Sequence, residues 1–388
     1  VSIVVGSFYP AVVYGGPIFS ILNLGKGLAM LGVDVYVSTT NANGKGRLKV
    51  PTGEFIKFGD RLSVKYYGGA DEKSFSWAYF IGLWNDIRNA DVVYLQSIFS
   101  FHVPVTLLYA RILGKPVLLS PRGSLGSWCL NFGSRFKRLW LSLIIRPFAG
   151  YVSWHATSVQ EEMEIRSLYK KARVHVVPNI VELLSFSEAR SVSKKDFLKR
   201  YAGIDGEFAA IIVSMGRLHA KKGFDILIDA FSVLTKDFPR SALFIAGDDC
   251  GEKDKLLRKI SDAGLEGNVF LTGHLEGGDK AAFLAGADVF ALSSHNENFG
   301  NVYAEALACG TPIVASTSSP WQDVEKMGCG KWVDNTADDF AKAIASILNS
   351  DMQLMGEKGR EYVNNSFGWE KVSLKMNSVF EEMIGVKG

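Results

Sequence analysis

Cysteine is scarce. Cys129, Cys250, Cys309 and Cys329 are scattered through 388 residues without a Cys-x-x-Cys pair. That excludes a disulfide scaffold and a thiolate metal knuckle, and it points to reduced thiols in a cytoplasmic chain. No Asp-x-Asp occurs, and the six histidines are dispersed, so no metal site is expected. No Gly-x-Gly-x-x-Gly follows the first apolar run, which removes the dinucleotide fingerprint of a Rossmann dehydrogenase. No stretch of about 18 uncharged apolar residues occurs, so no spanning helix is expected. The chain opens directly on a strand-like run, and no leader is expected.

Acid is also missing, but only locally. Val92 to Gln160 contains no Asp or Glu, while Arg111, Lys115, Arg122, Arg135, Lys137, Arg138 and Arg146 fall within it. Residues 1–180 carry 20 Lys/Arg against 10 Asp/Glu, whereas the remainder carries 23 against 30. The overall charge of +3 therefore conceals a basic first half and an acidic second half. Within the acid-free run, residues 127–147 interleave cations with Trp128, Leu130, Phe132, Leu139, Trp140 and Leu143. An amphipathic segment of this kind suits an anionic membrane surface. A helix whose apolar face packs into its own domain, cations outward, is the alternative.

The rest of the pattern is regular. Apolar runs at 1–6, 33–39, 92–96, 117–120, 153–157 and 174–177 alternate with amphipathic stretches such as 17–31, 104–113 and 135–147. The alternation lapses after Pro178-Asn179 and resumes at 209–215, 242–246, 269–271, 289–293 and 313–316. Helical stretches at 223–236, 252–263, 338–349 and 369–384 complete it. Such alternation argues for α/β domains with doubly wound parallel sheets. The boundary is placed near residue 180, with domains at 1–180 and 181–366 and a terminal helix at 367–388. Ligands of such sheets bind beyond the carboxyl ends of the strands.

Three loops at such ends carry chemistry. Ser293-Ser294-His295-Asn296-Glu297-Asn298-Phe299-Gly300-Asn301-Val302-Tyr303-Ala304-Glu305 follows the run Val289–Leu292. Glu297 then sits in the loop and Glu305 in the next helix, with Phe299, Gly300, Asn301 and Val302 at the helix start. The first amides of a helix lack intrahelical acceptors and favour anions. A carboxylate for hydroxyls beside amides for phosphate suits a nucleotide-sugar; two solvated carboxylates on a surface helix are the plain alternative. Next, Gly216-Arg217-Leu218-His219-Ala220-Lys221-Lys222-Gly223 joins a strand to a helix, so Arg217 and Lys222 could clamp a diphosphate. Finally, Gly15-Gly16-Pro17 opens the first helix, with Pro17 in its first turn and glycines that let backbone approach an anion.

Glu297-Asn-Phe-Gly-Asn-Val-Tyr-Ala-Glu305 resembles the Glu-x7-Glu signature of retaining glycosyltransferases of family 4 with the GT-B fold. Gly216-Arg217-Leu-x3-Lys222-Gly223 is similar to that family's diphosphate motif, and Gly15-Gly16 stands where family members carry a Gly-Gly. The resemblance implies two Rossmann-like domains facing a cleft, with the terminal helix packing back on the first. It gives Glu297 the sugar hydroxyls, Glu305 the ribose, and the Phe299–Val302 backbone the sugar and diphosphate. Arg217 and Lys222 would stabilise the leaving diphosphate without a metal or other cofactor, with Gly15, Gly16 and Gly216 close to the donor. The implied reaction moves a hexose from a UDP- or GDP-linked donor to a glycan or polyprenyl-linked acceptor with retention, in polysaccharide biosynthesis. No nucleic-acid partner is expected. The expected location is cytoplasmic, peripheral on the inner face of the membrane where 127–147 engages it.

One departure matters. Family members commonly carry a histidine at the end of an amino-domain strand, where this chain reads Ser120-Pro121-Arg122-Gly123. Arg122 is thus a donor-binding candidate, and His155, which ends another strand before a Ser158-x-x-Glu161 capping box, is a second candidate contact. A histidine packed at the strand end is the alternative. The missing histidine also keeps open a non-catalytic sugar-nucleotide-binding relative.

Overall fold

The computed structural model describes residues 1–69, 75–131, 136–187 and 193–385. It divides into two compact units, one of Val1–Ile180 with Trp369–Gly388 and one of Val181–Gly368. In the first unit the strands are β1 (Ser2–Val4), β2 (Val35–Thr40), β3 (Ala42–Asn43), β4 (Gly46–Arg47), β5 (Phe55–Lys57), β6 (Leu62–Tyr67), β7 (Val93–Gln96), β8 (Val117–Ser120), β9 (Ser153–Ala156) and β10 (Arg173–Val176). Eight of these form one sheet in the order β10-β9-β8-β7-β1-β2-β6-β5, and β3 pairs with β4 alone. All of its pairings are parallel except β5 with β6. The central strands are buried on both faces, which is why β1, β7 and β8 read as unbroken apolar runs.

The terminal helix Trp369–Ile384 closes this unit against the helix Gly16–Met30. Gly27 permits the approach: a Cβ there would stand 2.1 Å from Ser373 Oγ. Val372, Met376 and Phe380 then enter the same core as Ile21, Leu24 and Leu28.

The second unit contains β11 (Ala210–Met215), β12 (Ser241–Ala246), β13 (Val269–Gly273), β14 (Val289–Leu292), β15 (Ile313–Ser316) and β16 (Gly330–Val333). Their order is β13-β12-β11-β14-β15-β16, parallel throughout. The strand order reverses between β11 and β14, the place where doubly wound sheets collect ligands. Each unit is thus a Rossmann-like α/β sheet.

The pattern differs from expectation in three regions. β6 and β16 carry Lys65 and Lys331 among their apolar residues and escape a search for apolar runs. The helix expected over 135–147 is helical but not one α-helix: a short α-helix Phe136–Trp140 passes into a π-helical segment Leu141–Ile145 and a 3-10 turn Arg146–Phe148. Pro147 lacks an N–H, so the α ladder loses a bond there even though Arg146 keeps right-handed helical angles. Phe132 and Arg135 lie outside the described residues.

Candidate functional site

The site in the second unit is built where β11 and β14 end. Gly216 leaves β11, the chain turns through Ala220–Lys222, and the helix Phe224–Leu234 begins at Gly223. Gly223 has φ of +62°, and a Cβ there would stand 2.1 Å from the Ser293 carbonyl oxygen, so only glycine fits. Two bonds stitch this turn to the loop after β14. Ser293 Oγ donates to the Gly223 carbonyl at 2.6 Å, and the His295 amide donates to the Lys221 carbonyl at 2.9 Å.

That stitching brings two of the sequence candidates together. The Lys222 stem runs over Gly216, where a Cβ would stand 3.1 Å from Lys222 Cε, and its ammonium donates to Glu297 Oε1. Ser294 Oγ donates to the same oxygen at 2.8 Å, and the Glu297 amide is held by the Ser318 carbonyl at 3.1 Å. Burial pushes the Glu297 carboxyl up, but the Lys222 ammonium, Lys221 and the Ser294 hydroxyl outweigh it and hold the carboxyl below its ordinary range. Arg217 stands apart: it is exposed, and among the described residues no ion pair or hydrogen bond holds its guanidinium.

Beyond Glu297 the backbone reaches Gly300, at φ of +77°, which caps the helix Asn301–Ala308. A Cβ on Gly300 would collide with the Tyr303 ring at 2.7 Å. Phe299 anchors the turn. Its ring lies among Trp321 and Phe367, and its carbonyl accepts from Trp321 Nε1 at 2.6 Å, just ahead of the candidate backbone of Gly300, Asn301 and Val302. Tyr303 Oη ties this helix to β14 through the Leu292 carbonyl at 2.9 Å.

Glu305 is nearly buried on that helix and pairs with Lys280 at 2.6 Å. Lys280 comes from the helix Gly277–Ala285, and its ammonium also lies 5.5 Å from the Phe186 ring centre. Sequence reading missed Lys280. No motif spacing marks it, since its partner lies on a different helix. The same reading missed Ser294 and the Ser318 carbonyl, which fix the orientation of Glu297.

The first unit presents a second cluster. Gly15, at φ of +75°, ends the turn Val12–Tyr14 and leads into Gly16 and Pro17 at the start of the first helix; nothing lies within 4 Å of a Cβ built on it. Arg122 follows β8 at φ of +54°, an uncommon conformation for a side-chain-bearing residue. It donates from Nη2 to Tyr94 Oη at 2.9 Å and from Nη1 to Asn179 Oδ1. Glu161 pins the turn beyond, accepting from the Gly123 amide at 2.6 Å and from the Thr157 amide at 2.7 Å. Ser158 does cap its helix by accepting from the Glu161 amide, but the Glu161 carboxylate serves Gly123 and Thr157, one residue outside the standard box.

His155 is 1% exposed, with Nε2 against the Val177 carbonyl at 2.7 Å and Nδ1 against Tyr94 Oη at 2.9 Å. A carbonyl only accepts, so Nε2 carries the proton and Tyr94 donates to Nδ1. Burial first, then the Arg122 charge, pushes this imidazole down to about 3 and keeps it neutral. His155 therefore braces Tyr94, and through it Arg122, with no polar atom left to touch a sugar. This corrects the expectation of a direct contact.

Two α/β units of this kind, each with its loops at the carboxyl ends of a parallel sheet, define the GT-B architecture. The model described as "Glycosyl transferases group 1" matches residues 202–366, and that described as "Glycosyltransferase Family 4" matches residues 14–183. The chain belongs to this family of glycosyltransferases. It is 37% identical over 169 residues to a lipopolysaccharide core biosynthesis glycosyltransferase, LpsE, of Rhizobium meliloti, an alignment covering 42% of this chain and 48% of the relative. Across three further relatives the chain spans 33%, 55% and 62% of their lengths. Among solved structures, Anabaena HepE in complex with UDP and glucose superposes with a TM-score of 0.74 at 17% identity, covering 98% of this chain and 99% of that one. A sucrose-phosphate synthase from Thermosynechococcus elongatus gives 0.75 at 20% identity, covering 100% of both chains. These likenesses establish the fold. Among the described residues, no group of three His, Cys, Asp or Glu is placed to hold a metal ion, and no helix is long and apolar enough to cross a membrane.

Proposed function

We propose that this chain transfers a hexose from a nucleoside-diphosphate sugar to a glycan or lipid-linked acceptor, with retention of configuration and without a metal, in polysaccharide or glycolipid biosynthesis. The observation that carries the reading is the contact of Lys222 with Glu297 beside the start of the helix Asn301–Ala308. A cation for phosphate, a carboxylate for hydroxyls and helix-start amides then meet at one switch point. The HepE complex with UDP and glucose supports a donor of this class, with UDP- or GDP-linked hexoses as the candidates.

In this scheme Arg217 and Lys222 neutralise charge that develops on the departing diphosphate. Glu297 orients the sugar through its hydroxyls, and Glu305, steadied by Lys280, takes the ribose diol. The leaving phosphate oxygen accepts the acceptor's hydroxyl proton on the face from which it departs, so the new bond forms where the old one broke. This chemistry demands positioning more than a protein nucleophile. By resemblance to the family, Gly15, Gly16 and Arg122 of the first unit are further donor-binding candidates.

Incubation with UDP- and GDP-linked hexoses and a panel of glycan acceptors tests the reading. Thermal shift should select one nucleotide, since a ligand of the folded state stabilises it by mass action. Proton NMR should then show a product with the donor's anomeric configuration, formed at an unchanged rate in EDTA. Inversion, or loss of turnover in chelator, rejects the mechanism. Donor binding without hydrolysis or transfer establishes the non-catalytic binder instead.

A further inference from the structure

Large apolar side chains stand in solvent on three segments of the first unit that leave the same edge of its sheet. β6, β7 and β8 run in the direction of β1, so the segments after them begin at the edge that also carries Gly15 and Arg122. Trp77, 69% exposed, and Ile81 follow β6; Phe101 follows β7; Phe136, 76% exposed, Leu139 and Leu143 follow β8.

These segments form one surface. The Phe75 ring meets Trp77 edge-on at 5.3 Å and Phe101 at 5.5 Å. Trp140 Nε1 donates to the Ile98 carbonyl at 2.8 Å, and the Lys137 ammonium lies 5.7 Å from the centre of the Phe99 ring. The second and third segments lie wholly within the acid-free run 92–160, where Lys137, Arg138 and Arg146 alternate with the exposed apolar residues. Contiguous apolar surface on a folded chain marks a contact site. Protein interfaces are depleted in lysine, whereas a lipid headgroup layer receives aromatic rings and cations together.

We propose that this edge docks on an anionic lipid bilayer, with Trp77, Phe101, Phe136, Leu139 and Leu143 entering the interface and Lys137 and Arg138 meeting phosphate headgroups. The surface reaches beyond residues 127–147 to two neighbouring segments. Its use in presenting a lipid-linked acceptor rests on the function proposed above; the docking itself does not.

Co-sedimentation of the full chain with vesicles of phosphatidylglycerol and phosphatidylcholine in equal parts, and of phosphatidylcholine alone, tests the docking. At low salt, where screening is least, the chain should sediment with the anionic vesicles and about tenfold less with the neutral ones. Trp77→Ser/Leu139→Ser/Leu143→Ser should reduce binding by about tenfold or more. Lys137→Gln/Arg138→Gln should reduce it on anionic vesicles only. Leu257→Ser/Leu354→Ser, exposed sites on the second unit, should bind as the parent does. No binding to anionic vesicles at low salt, or parental binding by the triple variant, overturns the proposal. Donor turnover in solution should be unchanged in the triple variant, and vesicle binding by a chain without turnover would overturn the function while leaving the docking intact.

Discussion

Lys222 and Glu297, 75 residues apart, form an ion pair in which a single carboxylate oxygen receives both the ammonium and the Ser294 hydroxyl. The proposed roles place the cation on phosphate and the carboxylate on sugar, so one contact sets the position of both. Lys222→Ala would leave a buried carboxylate without its cation, a loss of roughly 3–5 kcal/mol. Turnover should fall by about 10²- to 10³-fold. Adding Glu297→Gln should restore much of the stability but none of the turnover, read by urea unfolding and by initial rates. A double variant as unstable as Lys222→Ala would show that the pair is not what holds the loops.

Arg217 separates activity from stability more cleanly. It is exposed and engaged with nothing among the described residues, so Arg217→Ala should leave the unfolding midpoint unchanged within about 0.5 kcal/mol. Turnover should nevertheless fall at least ~tenfold, because half of the diphosphate clamp is gone. Full activity in this variant would remove Arg217 from the proposed mechanism.

Gly223 is the narrowest point of the scaffold. Gly223→Ala adds a methyl 2.1 Å from the Ser293 carbonyl oxygen on a left-handed backbone, so both loops must move. Strained backbone alone costs about 1–3 kcal/mol. Gly32→Ala is the control: its φ of +86° is equally unfavourable, but no atom lies within 4 Å of the new methyl. Greater destabilisation at Gly223 than at Gly32, together with lost donor binding, is the expected result; equal losses would assign the whole effect to the backbone.

Much of this was legible in the sequence, for identifiable reasons. Strands buried on both faces are unbroken apolar runs, which exposed β1, β7, β8, β11 and β14 and hence the loops bearing Gly15, Arg122, Arg217 and Glu297. Lys280 was not legible, because its meeting with Glu305 depends on two helices packing side by side. For His155 the sequence left contact and packed ring both open, because strand-end position does not reveal whether a ring faces solvent or, as here, the Val177 carbonyl. The aromatic edge was seen only in part, since Trp77 and Phe101 become neighbours of residues 136–143 through the order of β6, β7 and β8.

The two buried histidines of the first unit make its stability depend on pH. Burial and Arg122 push His155 down to about 3, and burial pushes His102 down to about 4 against the opposing Gln96 carbonyl. In the unfolded chain both titrate near 6.5, so between these limits the unfolded state binds more protons than the folded state. Stability therefore rises with pH through that window and levels off above 6.5, each histidine contributing roughly 1.4 kcal/mol per pH unit. Glu161, whose carboxyl burial holds above its ordinary range, acts in the opposite direction as the pH rises past that ordinary range. Glu297, held below its ordinary range, loses its contribution only as the pH falls below that of the unfolded carboxyl. Comparison of the parent with His155→Gln cancels both carboxyl contributions. Urea unfolding from about pH 5 to 6 should show the variant's slope shallower by roughly 1.4 kcal/mol per unit, while its stability at neutral pH falls through the weakened Tyr94–Val177 bridge. An unchanged slope would mean that His155 takes up its proton in the folded chain, and would dismiss it as the neutral brace behind Arg122.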